Sequence, residues 1–534
     1  MTATIKLVQR VEGVVTSTPS RWQYKYSIRD SPRILLGLAL LPKGGCDLKS
    51  ATRLWVHECL RVLCDRVTGG RDDGLLSELQ QCIIAECPDG DAELVASVAS
   101  DVYVFIKRDS VDPSKAASAR NIGAAAAMSS QDASAVRATT GAQLSLRGGD
   151  TYLLLSVKEG FVDAIVEMVS DYNADTVERI QLIPCMLVAT QLARLVRIVR
   201  QPGGHAMLLG AVSVGRKSLT RLAGFLAEMP IVRVDSSRDG AGGMDAIKQC
   251  VLRSSTAGRP IILLASDNEV RSREESAVLL QAIYSVITTG ARLRAAARQC
   301  VRARRDGVAA GTCPGLLSEE ELESAIAEEA VFAEAERLEL TPSRQNLCTV
   351  FFRRVRRYLR AVVVTDPAMG CSAVHVELLQ RCGVMWVASA SVEAMEAAAQ
   401  QSLPAELVAV PGVVPALVAV HEGMLHEPTR FCVPHAALTM GRFVSFVSTF
   451  RRIVDDRSAR LSARAAALRG GEARLAAVGE LIENMHGAIE GVSTQKRVTA
   501  AEVEGIVTEI EQEDAAVAGL RQIAEGEQVR ARAC

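Results

Sequence analysis

The chain has 534 residues, 49% of them hydrophobic, which is enough apolar material for more than one core. Its 61 Lys and Arg nearly balance 62 Asp and Glu, and the formal net charge of -1 excludes a global basic field that would recruit nucleic acid or an anionic membrane. The fourteen cysteines form no C-x-x-C pair and no secretory leader is visible, so reduced thiols in an intracellular setting are expected. The longest apolar run, Leu35 to Leu41, falls far short of the roughly 20 residues that span a bilayer, so no membrane anchor is expected.

Residues 1–110 carry helical patterns. In ATRLWVHECLRVLCDRV, Leu54, Trp55, Cys59, Val62 and Leu63 recur on one face of a helix. Residues 111–150 change to Ala, Ser, Gly and Thr with hardly an aromatic, a composition that buries too little apolar surface to offset its ordering entropy, and they read as a disordered low-complexity insertion. Residues 151–390 read as an α/β nucleotide-binding core of doubly wound type. Three apolar strands carry this reading: AMLLG, RPIILLASD ending in Asp267, and RAVVVTD ending in Asp366, each placing residues where such a sheet presents them to ligands. The charged run EEELESAIAEEAVFAEAERLEL reads as a helical segment with a solvated acidic face.

The first of those strands opens into GAVSVGRKS, residues 210–218, and then a helix beginning at Ser218. Strand, glycine loop and helix are the setting of a phosphate-binding loop, G-x-x-x-x-G-K-[ST], whose freed N–H groups and helix N-terminus face an anion. Gly210 and Gly215 keep the frame, and Ala211, Val212, Ser213 and Val214 lie between them. Arg216 stands where the lysine belongs and Lys217 where the hydroxyl belongs; arginine keeps the charge as a larger planar fork, which suits binding better than positioning. Ser218 reaches a magnesium ion only if the helix start shifts by one residue. After the acidic strand, Asn268 follows Asp267 and the next acid is Glu269, so the pair needed for metal and water is out of step and hydrolysis is expected to be weak or absent. The bland alternatives are a tight turn for Gly210 and Gly215, and a strand-end cap for Asp267.

Two further motifs read as structural. HEGMLHEP places His421 and His426 five apart, which separates them on a helix, so both read as surface residues rather than zinc ligands. FFRRVRRYLR, with Arg353, Arg354, Arg356, Arg357 and Arg360, reads as a helix with one apolar and one basic face that leads into a strand.

Residues 391–441 follow the core as a smaller helical unit, and 442–534 carry a heptad register. Leu461, Leu468, Leu475, Ile482 and Ile489 are spaced by seven, and after Lys496 the phase resumes at Val503, Ile510 and Val517. Val478, Met485, Val492, Ile506 and Leu520 stand three residues behind their heptad partners. No proline follows Pro434, and at ~1.5 Å per residue the helix spans on the order of 100 Å. Such a seam calls for a coiled-coil partner helix.

These segments, in this order, resemble the motor region of dynein heavy chains. YSIRDSPRILLGLAL with RLWVHECLRVLCDRV resembles the end of the third AAA module, and SDYN with RLVRIVRQPGGHAMLLGAVSVGRKSLTRLAGFLAEM resembles the entry to the fourth. RPIILLASDNEV, AIYSVITTG, CGVMW and VEAMEAAA resemble later segments of that module, and VPHAALTMGRFVSFVSTFRRIV resembles the start of the stalk. The resemblance implies that 1–110 is the helical lid of the preceding module, 151–390 an AAA+ large subdomain with a degenerate P-loop, 391–441 its lid and 442–534 the outgoing stalk helix. It further implies ATP or ADP as ligand with Mg at Asp267 and Ser218, and partners among other dynein segments and dynein intermediate and light chains. Microtubules would be reached only indirectly, and the setting would be the cytoskeleton of a cilium or flagellar axoneme. Arg29 matches a family arginine of the third module's lid, whereas the family's arginine-rich stretch before the cysteine strand is reduced to Arg381. A competing reading is a non-motor coiled-coil scaffold whose core has lost its ligand.

Overall fold

The computed structural model describes residues 1–19, 21–40, 48–68, 72–88, 92–106, 147–148, 151–155, 159–180, 182, 185–211, 214–234, 242–266, 273–289, 316–367, 373–387, 392–426 and 439–532. Nearly all of the insertion read at 111–150 lies outside them. The chain divides into two compact units, Met1–Ser448 and Thr449–Cys534.

The first unit opens with helices α1 (Thr2–Val14), α2 (Asp30–Leu38), α3 (Leu48–Cys59), α4 (Asp73–Glu86) and α5 (Ala92–Ala99). Helix α3 continues through a π-helical turn at Leu60–Cys64. Leu54, Trp55, Cys59, Val62 and Leu63 are buried as the periodicity requires, and so are His57, Glu58 and Arg61, so this helix is enclosed on more than its apolar face. The region is not wholly helical. Strand β1 (Tyr103–Ile106) pairs antiparallel with β2 (Thr151–Leu154), a ladder between segments nearly fifty residues apart that local patterning does not reveal.

Helices α6 (Glu159–Asp175) and α7 (Met186–Arg200) lead into a five-stranded parallel sheet made by β3 (His205–Leu209), β4 (Ile231–Arg233), β5 (Ile261–Ser266), β6 (Leu359–Thr365) and β7 (Cys382–Trp386), in the order β4-β5-β6-β3-β7. Every residue of β3, β5 and β6 is buried, as expected when helices cover both faces of a parallel sheet. Side chains alternate between two cores: Met207, Leu209, Leu263 and Val363 belong to one, and Ala206, Leu208, Leu264 and Val364 to the other. The N-terminal helical region adds Trp22 to the first core and Leu54 to the second.

Helices α8 (Arg216–Leu226), α9 (Gly242–Thr256), α10 (Arg273–Thr289), α11 (Glu319–Ile326), α12 (Glu329–Arg337), α13 (Arg344–Tyr358) and α14 (Ala373–Leu379) complete the α/β core. The acidic run forms two helices rather than one. Ser318 and Glu321 make a capping box at the start of α11, while Leu322, Ile326, Val331 and Ala335 enter the core beneath an exposed glutamate face. Helices α15 (Val392–Ser402), α16 (Ala405–Val408) and α17 (Val413–His426) follow. His421 is buried against the Phe443 ring, with centroids 5.2 Å apart, so the surface reading fails at this position.

The last helix, α18, runs for 93 residues from Met440 to Arg532. Only Phe443 and Val447 of it are buried, and the heptad residues Leu461, Leu468, Leu475, Ile482 and Ile489 are exposed. None of the described helices is long and apolar enough to cross a membrane.

Candidate nucleotide site at the end of strand β3

The site is built at the carboxyl end of β3, the strand flanked by β6 and β7. Gly210 follows it directly with φ 153°, and a Cβ here would lie 2.6 Å from the main-chain oxygen of Val387. Only glycine fits so close to another peptide. Val387 in turn donates its N–H to the Leu209 carbonyl at 2.7 Å, so the residue after β7 walls the loop on that side. Gly215 has φ 86°, a left-handed conformation that glycine adopts without steric cost, and turns the chain into α8.

Helix α8 begins at Arg216, two residues earlier than the sequence suggests. Arg216, Lys217 and Ser218 therefore form its first turn. The first N–H groups of a helix have no intrahelical acceptor and point outward, and Gly215 as N-cap brings no side chain to satisfy them. Ser218 is thus the third helical residue and is half-buried.

Arg216 does not extend from the loop. Its guanidinium is buried and Nη1 donates to the carbonyl of Thr365, the last residue of the neighbouring strand β6. Thr365 also faces His375 of α14, with Oγ1 and Nε2 3.5 Å apart, and the His375 ring packs on Trp22 at 5.6 Å. Loop, central strand and N-terminal region are tied at this one residue. Neither Thr365 nor Val387 stands out in the sequence, because each meets the loop through its main chain.

Among the other residues of the loop, Ala211 and Val214 are half-buried at its two ends, while Val212 and Ser213 lie outside the described residues. Asp267 and Glu269 do too, following directly on Ser266, the last residue of β5. Asp366 is buried at the end of β6.

The arginines of α13 divide differently from a simple basic face. Arg353, Arg356 and Arg357 are exposed, but Arg354 is buried, donating to the Ser255 carbonyl and lying 3.6 Å from Glu334. Arg360, inside β6, donates to the carbonyls of Val199 and Arg357 at 2.8 and 2.7 Å, and burial lowers its pKa to about 10. These two are spent on the fold. Arg29 donates to Gln380 beyond α14, a contact between the N-terminal helices and the sheet domain.

Residues 180–293 match the family model described as P-loop containing dynein motor region D4, a span that contains the loop and the β5 end. Dynein axonemal heavy chain 1 of Homo sapiens is 20% identical over 532 residues, covering 94% of this chain and 11% of that protein. The chain is thus similar to dynein heavy chain motor regions over most of its length. Dynein axonemal heavy chain 10 of Homo sapiens is 23% identical over 473 residues, 85% of this chain and 9% of that protein. Dynein axonemal heavy chain 12 of Homo sapiens is 29% identical over 232 residues, 43% of this chain and 7% of that protein. The chain thus spans about a tenth of the length of the dynein relatives it matches. Its AAA+ fold, with a parallel sheet followed by a long helix, agrees with the dynein resemblance.

Proposed function

We propose that this chain supplies a regulatory AAA+ module of a dynein-like microtubule motor, one that holds ATP or ADP at residues 210–218 and hydrolyses it weakly or not at all. The observation that carries the reading is the loop itself. Two glycines in conformations or contacts that exclude side chains lead into a helix N-terminus, the arrangement that presents main-chain N–H groups to phosphate. The loop cation supports the second half of the proposal, because the Arg216 guanidinium is buried against the Thr365 carbonyl, whereas a hydrolytic loop uses its lysine to reach the terminal phosphates.

In this reading Asp267 and Ser218 share the magnesium shell, and Glu269 is set one residue too far to orient water. The module is one part of a larger motor: other dynein segments and dynein intermediate and light chains are its partners, α18 pairs with a returning stalk helix, and microtubules are reached through that stalk. The axonemal naming of the relatives supports a cytoskeletal location in a cilium or flagellum. Calorimetric titration of the full chain with ADP tests the ligand, and phosphate release in excess ATP tests the silence. Binding without turnover is the expected pair of results; absence of binding sinks the proposal and favours the scaffold reading.

A further inference from the structure

Asp65, the residue after the π-helical turn that extends α3, is buried with its side chain 5% exposed. Its Oδ1 accepts from Arg194 Nη1 of α7, and its main-chain carbonyl accepts from the N–H of Trp386 at 2.6 Å. Trp386 ends β7 and lies opposite Leu209 of β3. The next residue, Val387, bonds to Leu209 and presses its carbonyl against Gly210. Helix α7, for its part, feeds directly into β3. One acidic residue of the N-terminal helices therefore grips both the helix that leads into β3 and the strand end that bounds the first glycine of the loop.

We propose that Asp65 is a positioning residue through which the N-terminal helices set the geometry of the phosphate loop, so that nucleotide affinity at residues 210–218 depends on how those helices are seated. The proposal rests on the nucleotide-binding reading of the loop. Its physical basis is that Gly210 touches the Val387 peptide with no side chain between them, and close-packed contacts transmit a displacement rather than absorb it. A phosphate cradle made of main-chain N–H groups needs its donors held to a fraction of an ångström.

The charged groups around Asp65 are Arg194 on α7, Arg61 in the π-helical turn and Glu58 on α3. Burial raises the Asp65 carboxyl to about 6 although Arg194 and Arg61 pull it down, so it loses its charge on mild acidification. Glu58 is held below the ordinary carboxylate range, and nearby His57 is lowered to about 3 by burial, so neither changes charge between pH 7.5 and 5.5.

The test uses the full chain with Asp65→Ala, which removes the side-chain acceptor, and Arg194→Gln, which weakens the same contact from the other side. Hydrogen exchange at the Val387 amide and at residues 209–211 reads the clamp without any nucleotide. ADP calorimetry reads its consequence. In both variants exchange there should speed about tenfold while Leu79 and Ile83 in α4 stay protected, and ADP affinity should fall about tenfold at pH 7.5. The ratio of wild-type to Asp65→Ala affinity should grow at pH 5.5, where wild-type Asp65 is protonated and the cost of burying its charge is relieved; comparison as a ratio cancels the titration of ADP. Unchanged exchange at Val387 in both variants overturns the proposal, as does exchange raised evenly across residues 1–448. Failure of the wild-type chain to bind ADP removes the nucleotide reading and with it the claim on affinity, whereas wild-type binding with unchanged variant affinity removes the Asp65 proposal alone.

Discussion

In the twelve residues of α3, Leu54, Trp55, Val56 and Cys59 are buried together with Thr52, His57 and Glu58, whereas in the stretch of α18 from Thr449 to Arg532 no residue is buried. Leu54 is 2% exposed and Leu468 is 67% exposed. The first helix gains its stability from tertiary burial, including charges: Glu58 accepts from Arg61 and faces Arg197 of α7, and all three are enclosed. The second buries no residue in that stretch and carries i,i+4 pairs such as Arg460 with Asp456, worth a few tenths of a kcal/mol each. Helices of similar residue classes thus differ, the one held by contacts within the chain and the other exposing the heptad seam for which a coiled-coil partner is proposed.

The largest expected effect comes from breaking the buried charge cluster. Glu58→Ala leaves Arg61 and Arg197 enclosed without their carboxylate, and should cost roughly 3–5 kcal/mol in chemical unfolding of the α/β unit. An effect below about 1 kcal/mol would show that the cluster is solvated in solution. The sign of its pH dependence is fixed: burial alone would raise the Glu58 carboxyl, Arg61 and Arg197 more than reverse this, and the folded value is lowered. The stability from this group is therefore present above the unfolded value and lost as pH falls through the folded one. Asp65 runs the other way. Its folded value of about 6 lies above that of an unfolded Asp, so its contribution is fully present below the unfolded value and is lost as pH rises through about 6. Asp65→Asn should remove that component from the stability profile.

Gly210→Ala comes next. The new Cβ meets the Val387 oxygen at 2.6 Å, so the loop or the end of β7 must move, at a cost of about 1–3 kcal/mol and with ADP affinity lowered at least tenfold. Arg216→Lys should have a smaller effect. A lysine cannot reproduce the guanidinium contact with Thr365, which costs about 1–2 kcal/mol by thermal or urea unfolding, while ADP affinity stays within about threefold because main-chain donors carry it. If the affinity collapses instead, the arginine contacts phosphate directly. The smallest effect on the folded α/β unit is expected from Leu468→Asp with Leu475→Asp, within about 0.5 kcal/mol because both residues are exposed. Light scattering should nevertheless show that these substitutions abolish self-association of the full chain. A wild-type chain already monomeric at high concentration, with α18 fully helical by circular dichroism, would contradict the partner requirement.

Much of this architecture is legible in the sequence where the signal is local. AMLLG, RPIILLASD and RAVVVTD are continuous apolar runs because both faces of the central strands are covered, and the heptads of α18 keep one register on either side of Lys496. Strand β4 is not legible, since it has three half-buried residues at the sheet edge, and neither is the β1–β2 ladder across the insertion. The loop is legible as a frame of glycines but its cation is not. Whether Arg216 faces phosphate or sheet is decided by a carbonyl 149 residues away. Likewise the partners of Glu58 and Asp65 on α7 lie 139 and 129 residues along the chain, and a single acid in an apolar helix signals burial without naming its partner. His421 shows the converse. Its spacing from His426 argues against a shared metal but carries no information about the Phe443 ring that buries it.

The central claim is that the glycine loop after β3 holds a nucleotide without consuming it. Calorimetric titration of ADP into the full chain and into Gly210→Ala, with phosphate release followed in parallel samples containing ATP, tests it most directly. The account predicts saturable one-site binding to the wild-type chain, at least tenfold weaker in the variant, with phosphate release no faster than in buffer. Equal binding by both chains, no binding by either, or steady ATP turnover abolished by Asp267→Ala would contradict it.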